Sequence, residues 1–357
     1  MDENKLENIV LKSENKISEI IVLKLQDNIQ NEKMEPLFED KIILNAAYKE
    51  LIKEADTITD NIDKEIAAGE MLAQKAGGEY TPENTQTAIT EAKASIGAEV
   101  KALIQHAGIL TATVGKIRFE AVNEYYNRVL TEGITDIRLG RRNIHEVMKS
   151  AVKDLSRSGL RTVNYQSGHV NKLPVAVRRA VLTELQHITN DIHEEIAQQI
   201  GTKYFEVDAH PGARPTHAEW QGKVYSYEQL VTVCGLGSVD GLCGANCYHS
   251  YYPFVPGVSV PKYTAEILSK YKAPNYKEYG GKTFSQYEAK QKQRQMETAM
   301  RKVRTEITLL KKLGMDEDAV KLRSKYTAQR HNYKEFSEKM GLKTYYNRVT
   351  IDGLGRC

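Results

Sequence analysis

Apolar residues recur every three or four positions over much of this 357-residue chain, the period a helix needs to bury one face. Between Lys5 and Ala73 the stripe runs through Ile17, Ile20, Ile21 and Leu25, then Ile43, Ala47, Leu51 and Ala55, which predicts two or three helices. "GGEYTPENTQT" at Gly77–Thr87 breaks the pattern and predicts a loop. The period returns as a long helical stretch from about Thr90 to Leu130, and as a shorter helix from Asn143, a good cap, to Ser158, with Gly159 as its stop. The best-formed helix is "LPVAVRRAVLTELQHITNDIHEEIAQQIG". Pro174 sits in its first turn, Val177, Val181, Leu185, Ile188, Ile192 and Ile196 form one stripe, and Gly201 ends it. His187 and His193 flank that stripe without i,i+4 spacing, so they are expected to pack at the core edge and not to share a metal.

After Gly201 the period changes. "KYFEV", "KVYSY" and "VTVC" are short, rich in β-branched and aromatic residues and separated by turns, which predicts a small sheet. Helices resume at Thr283, where "TFSQ" fits a capping box with Gln286 as the partner of Thr283. Met296, Met300, Val303, Ile307 and Leu310 stripe the first helix; Leu322, Tyr326, Tyr333, Phe336 and Met340 stripe a second that starts at Asp316. Joined by "LGMD", the two predict a helical hairpin whose stripes need a cover. The expected fold is mainly α with a small central β-containing module, an α+β arrangement. Residues 1–90 form an acidic helical arm and 91–202 a helical body. A β module with a Cys/His loop follows at 203–261, and a basic helical hairpin with its tail at 262–357.

Charge sharpens this division. Residues 1–100 hold 11 basic against 21 acidic residues, whereas Lys262–Lys312 holds 13 basic against 5 acidic, so a net charge of +3 conceals two arms of opposite sign. Such arms suit contact with nucleic acid or with an acidic partner surface. Lys290, Lys292, Arg294, Arg301, Lys302 and Arg304 are the candidate contacts, salt-sensitive and without sequence preference. No apolar run is long enough to span a bilayer, and the acidic start "MDENKLENIV" is unlike a signal peptide. The chain is therefore expected in the cytoplasm of its producing cell or in a particle assembled there. Four cysteines, Cys234, Cys243, Cys247 and Cys357, are too few for a disulfide scaffold of this size.

The chemistry-bearing residues concentrate between Val207 and His249. Asp208, His210, His217 and Glu219 could supply acid and base groups, and His217 with Glu219 is the pair on which a zinc-dependent or acid/base enzyme, a toxin or nuclease, would rest. No nucleophile motif, phosphate loop or dinucleotide fingerprint accompanies them. Cys234, Cys243, Cys247 and His249 are donors of the kind that suit a tetrahedral structural zinc, with His217 or His210 able to replace one of them. Spacings of nine, four and two match no standard finger, so small buried thiols beside a capping histidine stay open as the alternative. In a third, architectural reading, His210 and Arg214 are held extended by the prolines that follow them, Pro211 and Pro215. Trp220 anchors the loop, Gly212 and Gly222 allow its turns, and His217 and Glu219 hold it through buried hydrogen bonds.

"AHPGARPTHAEWQGKVYS" followed by "GLCGANCYHSYYPFVPG" resembles the signature of the phage minor capsid protein 2 family, relatives of the Mu-F-type head morphogenesis proteins. "VAVRRAVLTEL" upstream and "YEAKQKQRQMETAMRKVR" downstream add to the resemblance, which covers about Leu139 to Arg348. It implies a non-enzymatic structural protein of a tailed phage or prophage, assembled in the host cytoplasm and placed inside the head near the portal. Its implied partners are the portal protein, capsid or scaffold proteins and packaged double-stranded DNA.

Overall fold

The computed structural model describes residues 3–37, 46, 48–51, 53, 58–82, 85–113, 116–163, 170–244, 247–272 and 276–350; Ile43, Ala47, Ala55 and Cys357 lie outside them. The fold is mainly helical with small antiparallel sheets. The chain divides into two compact units. One holds residues 53–99 and 179–290; the other holds 2–52, 100–178 and 291–357.

In the second of these, helix α1 (Glu3–Gln30) buries Ile17, Ile21, Val22 and Leu25 against α4 (Val122–Arg138) and α5 (Ile144–Ser158). α5 starts as its sequence predicts: the Asn143 side chain accepts from the Glu146 backbone N–H, and the Glu146 carboxylate accepts from the Asn143 N–H. The stretch expected to be one helix from Thr90 to Leu130 is instead interrupted. After α3 (Thr85–Gln105), β1 (Gly108–Thr113) and β2 (Lys116–Ala121) pair antiparallel, and β3 (Leu160–Val163) and β4 (Val170–Lys172) complete a sheet of order β2-β1-β3-β4. Thr111, Thr113 and Ile109 are β-branched, and one face of the hairpin has a specific use for its polar residue. Buried Glu120 accepts two bonds from the Arg128 guanidinium, both 2.8 Å, and one from Thr111. That paired guanidinium holds the carboxyl below its usual range and fastens α4 to β2.

The two C-terminal helices, α10 (Gln286–Lys312) and α11 (Asp316–Met340), pack on each other over residues 291–340. Tyr333 Oη donates to Glu297, Gln293 donates to Ser337, and Met300, Ile307, Tyr333 and Phe336 are buried as expected. The cap differs from expectation. Ser285 takes it, its hydroxyl accepting from the Glu288 N–H while Glu288 accepts from the Ser285 N–H, because Thr283 belongs to β9 (Lys282–Phe284) paired with β8 (Lys277–Tyr279).

The other unit carries α2 (Ile58–Lys75), the first part of α3, most of α6 (Leu173–Gln199) and the sheet β6-β5-β7. β5 is Tyr204–Val207, β6 is Val224–Ser226 and β7 is Tyr251–Phe254. "VTVC" supplies no strand; it closes α8 (Tyr227–Thr232), whose cap is Ser226, and runs into a turn. On α6 the predicted stripe is buried, with Leu185 half-buried. His193 is buried and bonded to Glu65, but His187 is exposed, which corrects the expectation that both pack.

Candidate metal centre

Two loops hang from the three-stranded sheet, and the pairing of β5 with β7 brings them together. Val207 and Tyr251 are register partners. One residue further, Asp208 N–H donates to Ser250 O and the Asp208 carboxylate accepts from Ser250 N–H, both 2.9 Å. Burial raises that carboxyl to about 6. The first loop turns at Gly212 and enters the short helix α7 (Pro215–Ala218), where Arg214 is extended and Pro215 occupies the first helical position. Trp220 then drops into the core beside Phe205, Val207, Tyr225, Leu230 and Leu242, and its carbonyl accepts from Tyr225 Oη. The second loop, 233–250, wraps buried Leu242. Gly241 is required there, because a Cβ would stand 2.0 Å from Gly235 O.

The two loops bring together His217, Cys247 and His249. His217 Nδ1 lies 3.4 Å from His249 Nδ1, and Cys247 Sγ lies 3.7 Å from the first and 3.6 Å from the second. Both rings are 1% exposed. The far nitrogen of each is anchored: His217 Nε2 donates to Asp240 O and His249 Nε2 to Gln221 Oε1, both 2.9 Å. Gln221 Oε1 also accepts from the His210 backbone N–H, which settles which end of that amide is oxygen. Burial, with the neighbouring charges of His210, His217 and Arg214, lowers His249 to about 3, so the ring is neutral. Trp220 walls the group, its ring centroid 4.6 Å from His217 and 4.9 Å from His249.

The other sequence candidates are placed elsewhere. Cys234 is buried in the apolar core and Cys243 Sγ faces Asn190 Oδ1 and His249 O; burial pushes both thiols up to about 12. His210 stacks on His249 at 4.4 Å between centroids without joining the three donors. Glu219 is exposed, so it holds the loop by no buried hydrogen bond; its carbonyl accepts from Lys223. The Glu219 backbone N–H donates to His217 O, but no bond joins their side chains among the described residues. Gln221 and the Asp240 carbonyl were not anticipated; the signal available was a polar amide directly after the anchoring tryptophan.

The basic set on α10 also needs correction. Arg304 is 2% exposed and cannot reach a phosphate. Lys290 donates to Pro211 O, and Arg301 and Lys302 are half-buried; only Lys292 and Arg294 are exposed.

The arrangement of these loops is that of a rigid module with a buried donor cluster, and the comparisons agree with a structural protein. The profile of the family described as phage minor capsid protein 2 matches residues 13–338. The chain belongs to that family. The match reaches well into the acidic arm, beyond the stretch in which the motifs are visible by eye. A "Structural protein" of Lactococcus phage LL-H is 24% identical over 148 residues, 38% of this chain and 40% of that relative, so the likeness spans well under half of either. No solved structure matches. The minor capsid assignment makes this a structural protein of the phage particle. No helix among the described residues is long and apolar enough to cross a membrane.

Proposed function

We propose that this minor capsid protein sits inside the phage head at its portal end, bridging portal and scaffold or inner-shell surfaces during assembly, with packaged DNA as a secondary, non-specific contact. The single observation that carries this reading is the family match over residues 13–338, which includes both the buried module and the two charged arms. Bridging is favoured over DNA binding because the candidate cations on α10 are largely engaged within the fold, leaving Lys292 and Arg294 to solvent. The reading is structural and not catalytic: the exposed Glu219 carboxylate makes no bond to the buried His217 ring among the described residues, and no nucleophile lies in a motif.

Quantitative mass spectrometry of purified particles tests it. The chain is expected in every preparation at low copy number relative to the major shell protein, and cross-linking is expected to recover portal peptides. Absence from finished particles overturns the location. For the DNA contact, affinity for double-stranded DNA should fall steeply with salt, by about one power of salt concentration per phosphate contacted. A flat response removes DNA from the partners.

A further inference from the structure

We propose that His217 Nδ1, His249 Nδ1 and Cys247 Sγ hold a zinc ion that ties the α7 loop to the 233–250 loop. Distances come first. Tetrahedral zinc bonds of about 2.0–2.1 Å to nitrogen and about 2.3 Å to sulfur put two nitrogens about 3.4 Å apart, and nitrogen and sulfur about 3.6 Å apart. The three observed separations are 3.4, 3.6 and 3.7 Å.

Proton placement adds an independent constraint. Each ring commits its Nε2–H to an oxygen that can only accept, Asp240 O or Gln221 Oε1. Both Nδ1 atoms therefore present lone pairs toward the same point. Only one thiol proton could lie between them, and it can serve one nitrogen, leaving the other lone pair buried against its neighbour. A cation at that point satisfies both nitrogens and a Cys247 thiolate at once. The His249 backbone N–H, 3.4 Å from Cys247 Sγ, donates to that sulfur. Far nitrogens fixed by carbonyl oxygens are the usual outer support of metal-ligating histidines.

The donor set selects the ion. A thiolate with two imidazoles disfavours magnesium and calcium, which take oxygen. The same set occurs in blue-copper sites, which add a weak, long axial ligand, most often methionine, and the sequence has no methionine between Met148 and Met296. Zinc fits what remains. His217 and His249 are 32 residues apart, so the ion closes a long, glycine-rich loop that otherwise rests on Leu242 and Cys234.

The test uses the full chain, purified without chelator and analysed for metal. One zinc per chain is expected, with at least a tenfold loss in Cys247→Ser and in His249→Ala, and none in Cys243→Ser. Because a ligand variant can fail to fold, wild-type protein is also stripped of zinc and loaded with cobalt. Tetrahedral visible bands with thiolate charge transfer are expected. Chelation should lower the melting temperature by about 10 °C or more. A natively folded chain that takes up neither zinc nor cobalt overturns the proposal, and so does copper as the bound metal.

Discussion

Glu14 on α1 is buried, and its carboxylate accepts from the Leu160 backbone N–H at the edge of a cavity of about 110 Å³ that Lys172, Arg301 and Lys302 also line. Burial raises its carboxyl from 4.5 to about 7, against the opposing pull of Lys172, the Leu160 N–H, Arg161 and Arg301. The sign follows from linkage. Below 4.5 both folded and unfolded chains carry a protonated Glu14 and nothing is lost. As pH rises through 4.5 the unfolded chain ionises and the folded chain resists, so stability falls until the folded carboxyl ionises near 7. At about 1.4 kcal/mol per pH unit, the loss between about pH 5 and about pH 8 is roughly 2 to 3 kcal/mol. Glu14→Gln keeps an oxygen for the Leu160 N–H and cannot ionise, so it should escape that loss. Calorimetric melts of both proteins at the two pH values measure the difference between them, in which titrating groups not coupled to Glu14 cancel; Lys172, lowered to about 8 and coupled to Glu14, makes about pH 7 the better upper value. The variant should gain roughly 2 to 3 kcal/mol on wild type as pH rises. A gap that stays constant across that range refutes the burial argument.

Two perturbations of the module follow. Trp220→Ala removes a ring that is 7% exposed and packed among Phe205, Tyr225, Leu230 and both histidines of the donor cluster, and should cost about 3 to 5 kcal/mol. An unchanged thermal melt would sink this. Gly222→Ala should cost about 2 kcal/mol, because φ is +69° and a Cβ would stand 2.4 Å from Leu268 Cδ2. Adding Leu268→Ala should remove the clash but leave the backbone strain, so full recovery of the melt in the double variant would contradict the strain.

Sequence periodicity reads well where one period dominates. α5 and α6 begin and end where Asn143, Gly159, Pro174 and Gly201 mark them, since capping and proline geometry act over a few adjacent residues. The β1–β2 hairpin is less legible: Ile117 and Phe119, two apart, carry a strand period, but the run is short and lies between helical stripes, and the antiparallel pairing of β1 with β2 and β3 decides for strands. The donor cluster was half legible. Cys247 and His249 are neighbours in sequence, but His217 joins them only because β5 and β7 pair, and linear spacing says nothing of which thiol will instead be spent on the apolar core, as Cys234 is.

The basic helix shows a different failure, one of reading composition before geometry. Lys290 to Arg304 is dense in cations, and density alone suggests a phosphate-binding face. On α10, however, residues three and four apart share a face. Arg304 lies four after Met300 and three before Ile307, both buried, so the period that marks the core stripe already places Arg304 on it. Lys292 lies four before Met296, which is only half-buried, and it stays exposed, as does Arg294. A cation on an apolar stripe must find internal partners, because burying it unpaired costs far more than an exposed contact with DNA returns. The same period that predicts the helical hairpin therefore removes Arg304 from any nucleic-acid face.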